Sequence, residues 1–438
     1  LPGLLFITIG DIESGAAGKS LAVPEGAFMQ KNRIRNLRNL ALSAAACAVI
    51  SACASPQQSN MSPETTEQMA NRIAKQNIIV DGHIDVPYRI EKSWVDVSKA
   101  TSSGDFDYPR AVAGGLDAPF MSIYVPASLD NSDASTALAH DLIDSVEAIV
   151  GRAPDKFALA YSVAELEDNF EKGLISLPMG MENGSPVQGS LDTLKAFYER
   201  GIRYITLAHS QSNHISDSSY DLRRQWQGLS PFGKTMVAEM NALGIIVDIS
   251  HVSDAAFYQT IDISTAPVIA SHSSLRRFTP GFERNMSDDM VKALAENDGV
   301  IMINFGSSFV SPLARSWRDK LGEQRQALVD TFGEDSQQVD DFNTKYEKQN
   351  PYPFADVNLV LDHIDYVRDL VGIDYIGIGS DYDGVGDSLP VGLKDVSSFP
   401  NLIKGLLERG YSEADIKKIL NENVLRVWRK VEEVAANS

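Results

Sequence analysis

The chain has 438 residues, is 43% hydrophobic and carries a net charge of −20. That is enough apolar material for one large domain or two smaller ones. With no Lys/Arg-rich tract to offset its acidity, the chain would be repelled by phosphate backbones, which excludes nucleic acid as a principal partner.

The first predicted segment is an address rather than part of a fold. Met29 is followed by Lys31, Arg33, Arg35 and Arg38, then by the apolar run Leu40–Ile50, which is short for a transmembrane helix. Ile50-Ser51-Ala52-Cys53 follows and resembles a bacterial lipobox, in which the cysteine receives a lipid. Residues 1–53 are therefore expected to be upstream sequence and a lipoprotein signal peptide, with translation starting at Met29. An ordinary secretory signal with an incidental cysteine is the alternative. An acidic body does not cling to anionic lipid, so the lipid on Cys53 would have to supply the anchor. Ala54 and Ser55 are not the acidic residue of inner-membrane retention, which points to the outer membrane, facing the periplasm. Cys47 lies in the apolar run, so cleavage leaves no second thiol for a disulfide. Residues 54–63 read as a tether, and residues 64–438 as the catalytic domain.

Eight short apolar runs then alternate with amphipathic stretches. The strand candidates are Ile78–Asp81, Phe120–Val125, Leu174–Met181, Arg203–Leu207, Ile245–Ile249, Pro267–Ala270, Val300–Asn304 and Tyr375–Gly379. Most lack polar alternation, as strands buried on both faces do. Ser230-Pro231, Ser287 and Asp356 are placed to open helices, and Gly244 to stop the first of them. Repeated strand–helix units predict a parallel sheet with right-handed crossovers. Eight of them predict an α/β chain folded as a (β/α)8 barrel. A doubly wound open sheet is the alternative, but no glycine-rich phosphate loop supports it. Ser93–Asp117 is polar and reads as a loop over the site. Trp317–Pro353 is highly charged and reads as a helical insertion or lid, and three closing helices are expected after Ser397.

In such a barrel the chemistry sits just beyond the C-terminal ends of the strands. The first end offers His83 and Asp85, two residues apart and on one side of an extended chain. The later ends offer Glu182, His209, His251, His272 and Asp381. Four of the seven histidines stand at strand ends, a concentration that chance placement would not produce. Histidines and carboxylates converging on one barrel mouth suit two Zn²⁺ ions. A shared carboxylate is needed to hold two ions together, and Glu182 is the natural candidate.

Asp81-Gly82-His83-Ile84-Asp85, Met181-Glu182-Asn183-Gly184, Asp248-Ile249-Ser250-His251, Ala270-Ser271-His272-Ser273, Arg284-Asn285-Met286-Ser287 and Gly379-Ser380-Asp381-Tyr382-Asp383-Gly384 together resemble the membrane (renal) dipeptidase family. The resemblance runs from about Ile78 to Arg426. It implies a binuclear zinc enzyme on an amidohydrolase-like barrel that hydrolyses dipeptides and tolerates a D-residue at the C-terminal position. Carried over by motif, His83 and Asp85 would bind one zinc, His251 and His272 the other, and Glu182 would bridge. His209 would stabilise the oxyanion, Asp381 would shuttle a proton, and Arg284 would pair with the substrate carboxylate. A homodimer is implied by the resemblance alone. The chain departs from the animal members in lacking their cysteines and C-terminal glycolipid anchor, and in carrying Gly306 and Phe309 where they place a tyrosine.

Each residue also has a plain structural reading. His209 could be a core histidine, Arg284 a surface arginine, and Asp383 an acid that only orients its loop. His140, His214 and His363 fall outside the pattern. A related binuclear hydrolase acting on a lactone, ester or cyclic amide is the competing enzyme reading, and a non-catalytic binding lipoprotein is the competing non-enzyme reading.

Overall fold

The apolar runs associate side by side, all in parallel. The computed structural model describes residues 64–333 and 336–438; the basic segment, Cys53 and the tether lie outside them. Eight strands form one sheet in chain order: β1 (Val80–Ile84), β2 (Ala118–Tyr124), β3 (Met179–Glu182), β4 (Ile202–Thr206), β5 (Ile246–Asp248), β6 (Ile269–Ser273), β7 (Val300–Ile303) and β8 (Ile376–Ile378). The chain beyond β8 closes the sheet onto β1. Asp85 N donates to Tyr382 O at 2.9 Å, and Asp381 N donates to His83 O at 3.1 Å. The fold is thus the expected (β/α)8 barrel, nearly closed. Among the described residues no helix is long and apolar enough to cross a membrane.

Buried aspartates pin the strand ends that regular pairing leaves free. The Asp81 carboxylate accepts from Ser380 N at 2.9 Å and His83 N at 3.2 Å, joining β1 to the segment after β8. The Asp248 carboxylate accepts from Ser250 N, Ser271 N and Ser271 Oγ at 3.0, 2.8 and 2.7 Å, joining β5 to β6. Buried carboxylates are stabilised by donors: the Asp248 oxygens are served by backbone N–H groups and by the hydroxyls of Ser271 and Thr206, whereas at Asp81 both bonds fall on Oδ1 and Oδ2 has no partner.

The opposite end of the barrel is plugged. The last helix, Asn423–Ala436, buries Val424, Trp428 and Val431 beneath the strands, with Trp428 packed on Phe120 at 5.3 Å between ring centroids. Asn421 Nδ2 donates to Ile78 O at 2.6 Å, and Asn423 Nδ2 donates to Ile373 O and Ile376 O, each at 2.8 Å. These amides satisfy carbonyls at the starts of β1 and β8 and leave the C-terminal mouth as the open end.

The helix signals behave as the sequence implies. The side chains of Ser230, Ser287 and Asp356 accept from backbone N–H groups of the first turn, and Gly244 ends its helix at φ 88°. The described part of Trp317–Pro353 is mostly helical, in Pro312–Phe332 and Gln337–Gln349. Two expectations need correction. The predicted strand Leu174–Met181 breaks at Pro178, which has no N–H to continue a ladder. Ile175–Leu177 pairs instead with Phe157–Leu159 in a separate two-stranded sheet, and only Met179–Glu182 enters the barrel. Ser93–Asp117 contains the helix Tyr108–Gly114 and does not line the site. It packs behind the site, where Asp105 N donates to the Asp383 carboxylate at 2.6 Å.

Trp428 is fully buried. Trp428→Ala should therefore cost about 3–5 kcal/mol, read as a lower urea midpoint without a change in the unfolding slope. A midpoint shift within error would show that the plug contributes nothing to stability.

Candidate metal centre and active site

Glu182 ends β3, and its carboxylate stands at the centre of the barrel mouth, 4% exposed. Its two oxygens face different neighbours. Oε2 lies 3.5 Å from His83 Nε2. Oε1 lies 3.1 Å from His251 Nε2, 3.3 Å from His272 Nε2 and 3.5 Å from His209 Nε2. His83 Nε2 is also 3.3 Å from Asp85 Oδ2, and the Nε2 atoms of His251 and His272 are 2.9 Å apart. Three ligand groups share these atoms: His83 with Glu182 and His272, Glu182 with His209 and His251, and His83 with Asp85 and Asp381.

The donor set fits metal. Zinc–ligand bonds of roughly 2.0–2.2 Å place tetrahedral ligand atoms roughly 3.3 Å apart, and the spacings above fall around that value. His83 Nε2, which faces the cluster, is buried without a hydrogen-bond partner, a costly state that coordination would relieve. Burial holds His251 and His272 well below the ordinary imidazole range, with the Arg284 charge adding to the effect, so both are neutral, the ligating form. Burial pushes the Glu182 carboxyl up to about 7. A carboxylate there calls for a cation beside it.

Support from behind the ligands sets their orientation. His83 Nδ1 is 2.8 Å from Tyr204 Oη, so the tyrosine fixes which ring nitrogen faces the site. Tyr204 projects into the barrel because Gly180, on the neighbouring strand, has no side chain; a Cβ there would lie 2.0 Å from the ring. His272 Nδ1 is 2.8 Å from Ser271 Oγ, which donates to Asp248, so the strand-end pin also orients a ligand. Asn304 Nδ2 donates to Asp381 Oδ2 at 2.7 Å. Burial pushes the Asp381 carboxyl up to about 6, a value suited to taking and returning a proton near neutrality. His251 and Asp381 both hold left-handed φ values, 69° and 64°. Such backbone costs about 1–3 kcal/mol per residue and is held here by the surrounding hydrogen bonds.

The expected site residues come together with one displacement. Asp85, Glu182, His209, His251, His272 and Asp381 line a cavity of about 800 Å³, and His83 lies beneath them. Arg284 is 3% exposed and stands one layer back. Its Nη1 donates to Ser273 Oγ and its Nη2 to His272 O, each at 2.7 Å, and its Nε has no partner. Its guanidinium lies over Phe309, 5.5 Å from the ring centroid. Asp383 pairs with Arg89 at 2.9 Å, accepts from Asp105 N at 2.6 Å and also lines the cavity. His363 is packed, with Leu275 N donating to its Nδ1 at 3.2 Å.

Sequence reasoning missed Tyr204, Asn304 as the holder of Asp381, the pins Asp81 and Asp248, and the wall residues Tyr88, Tyr124, Tyr220, Arg315 and Arg318. Tyr204 left one sign, a hydroxyl inside an otherwise apolar strand, which must find a buried partner. The wall residues left none, because they reach the cavity from distant parts of the chain.

A buried cluster of histidines and carboxylates at the C-terminal mouth of a parallel barrel defines a metal-dependent hydrolase of the (β/α)8 class. A family model described as membrane dipeptidase (peptidase family M19) matches residues 67–438, and the chain belongs to that family. It is 32% identical over 386 residues to an uncharacterized dipeptidase of Schizosaccharomyces pombe, covering 84% of this chain and 85% of the relative. It is 34% identical over 342 residues to the dipeptidase tcpJ of Claviceps purpurea, covering 76% and 71%. The solved structure of the probable dipeptidase PvdM from Pseudomonas aeruginosa superposes with a TM-score of 0.76 at 27% identity, covering 85% of this chain and 100% of that one. The protein is thus a metallopeptidase of the membrane dipeptidase type, with a buried His/Glu cluster suited to a binuclear metal site.

Tyr204→Phe removes only the hydroxyl behind His83. It should weaken metal binding by about ten- to a hundredfold, measured by competition with a chromogenic chelator. Unchanged affinity would leave Tyr204 a packing residue.

Proposed function

We propose that the protein hydrolyses dipeptides, L,L and L,D, with two Zn²⁺ ions, one held by His83 and Asp85 and the other by His251 and His272, with Glu182 shared. The observation that carries this division is the orientation of Glu182, whose Oε2 faces His83 while Oε1 faces His251 and His272. When bound, the ions supply Lewis acidity and lower the pKa of a water to near neutral.

The chain's own groups do the rest. Asp381, held by Asn304, takes a proton from the attacking water and returns it to the leaving amine. Burial holds His209 down to about 3, so it is neutral and donates a hydrogen bond to the oxygen that gains charge. Two of the five guanidinium N–H groups of Arg284 are spent on Ser273 and His272. The remaining ones serve the substrate's α-carboxylate, and a carboxylate fixed one residue from the scissile bond limits the enzyme to dipeptides. The basic run, apolar core and Cys53 in order support an N-terminal lipid anchor in the bacterial envelope, facing the periplasm; mass spectrometry of the mature N-terminus decides it. A homodimer is expected from family membership and is checked by light scattering.

Chelation should abolish turnover of a panel of L,L- and L,D-dipeptides, and Zn²⁺ should restore it. Asp85→Ala should lower the bound metal from two to one per chain, Glu182→Ala should cost both, and His209→Ala should retain both with a fall in kcat. Equal metal loss in the Asp85 and Glu182 variants would overturn the division of ligands, and metal loss in the His209 variant would make that residue a ligand.

Arg284→Lys loses the planar fork. It should raise KM by about tenfold or more, the loss of a charge-assisted hydrogen bond of about 1.5–3 kcal/mol. Unchanged kinetics would remove Arg284 from the carboxylate role.

A further inference from the structure

The cavity wall carries cations that the ligand and proton-transfer roles leave unused. The helix Pro312–Phe332 begins the charged insertion, and its first turns bring Arg315 and Arg318 to the cavity lining. Spaced three apart, they share one helix face. Arg315 is tied to Asp319 on the exposed side, while its Nε is buried with no hydrogen-bond partner. Arg318 pairs with no carboxylate among the described residues. All the acidic groups lining the cavity, Asp85, Glu182, Asp381 and Asp383, belong to the metal cluster or its supporting loop. The two arginines thus present positive charge to the space above that floor.

Their position relative to Arg284 indicates which part of a dipeptide they meet. The Arg315 guanidinium lies over Phe282 at 4.4 Å, Phe282 packs on Phe309 at 5.7 Å, and Phe309 carries Arg284 at 5.5 Å. Arg284 and Arg315 therefore flank one aromatic pair, on the same side of the cavity. If Arg284 serves the α-carboxylate, Arg315 and Arg318 stand beside the side chain of that same C-terminal residue. An apolar side chain would leave the Arg318 guanidinium without an anion and the Arg315 Nε without a partner, whereas a carboxylate would accept from both.

We infer that Arg315 and Arg318 form a specificity site for an acidic side chain, Asp or Glu, on the C-terminal residue of the dipeptide. This rests on the dipeptidase reading above. The test is steady-state kinetics of the Zn²⁺-loaded full domain on Ala-Asp, Ala-Asn, Ala-Glu, Ala-Gln and Ala-Ala, each with L and D second residues. The wild type should prefer Ala-Asp over its uncharged isostere Ala-Asn in kcat/KM. Arg315→Gln and Arg318→Gln should each shrink that ratio by about tenfold, the loss of one hydrogen bond to a charged group, and the double variant should bring it near one. Arg318→Lys should restore part of the preference, and Arg318→Glu should invert it. Arg318 is exposed, so its variants do not depend on refolding a core. No acidic preference in the wild type, or an equal fall on Ala-Asp and Ala-Asn in the variants, would overturn the inference while leaving the dipeptidase reading intact. No turnover of any dipeptide would remove both.

Discussion

The structure is organised around a carboxylate buried in a cluster of imidazoles. Glu182 lies at the centre of the barrel mouth with imidazole nitrogens on both sides, 3.1–3.5 Å away. Burial disfavours its charge; His83 favours it, while His209, His251 and His272, which burial keeps neutral, add no compensation. Positive charge between the carboxylate and the neutral imidazoles would stabilise the anion further, which is the physical content of a metal site. Much of the surrounding architecture holds those nitrogens in place until that charge arrives.

That holding is done by the barrel's own closure. Asp81 and Asp248 are buried strand-end acids whose hydrogen bonds join β1 to the β8 segment and β5 to β6. The same bonds aim His83 and His272. The same two acids thus serve both the closure of the sheet and the geometry of the site. Gly384 shows how tight the result is: a Cβ there would lie 2.2 Å from both Asp381 Oδ1 and Asp85 Oδ2. The loop that carries Asp381 can approach Asp85 only because that position lacks a side chain.

Eight apolar runs, their helix caps and the ligand types at their ends were legible in the sequence because each is a local matter. A strand buried on both faces reads as an unbroken apolar run, and the residue just past it is the one a barrel presents. The failures were also local in origin. Leu174–Met181 read as one strand because its apolar character runs through Pro178, whereas the missing N–H divides it between two sheets. Phe157–Leu159 was too short to register, since its pairing with Ile175–Leu177 depends on a segment far along the chain. The partners of Arg284, which is buried, stacks on Phe309 and commits two donors to Ser273 and His272, left no local sign.

By itself the sequence determined the (β/α)8 fold and the His and carboxylate cluster, because these follow from periodicity and from residues adjacent to strand ends, while its ordered motifs carried the resemblance to a metallopeptidase family. Only the tertiary structure decided which Glu182 oxygen faces which histidine, that Tyr204 and Ser271 orient the rings, and that Arg315 and Arg318 enter the cavity from the charged insertion. Apart from the adjacent pair Ser271 and His272, those facts depend on residues tens to hundreds of positions apart. Their juxtaposition is set by strand order and helix packing, which leave no trace in local spacing.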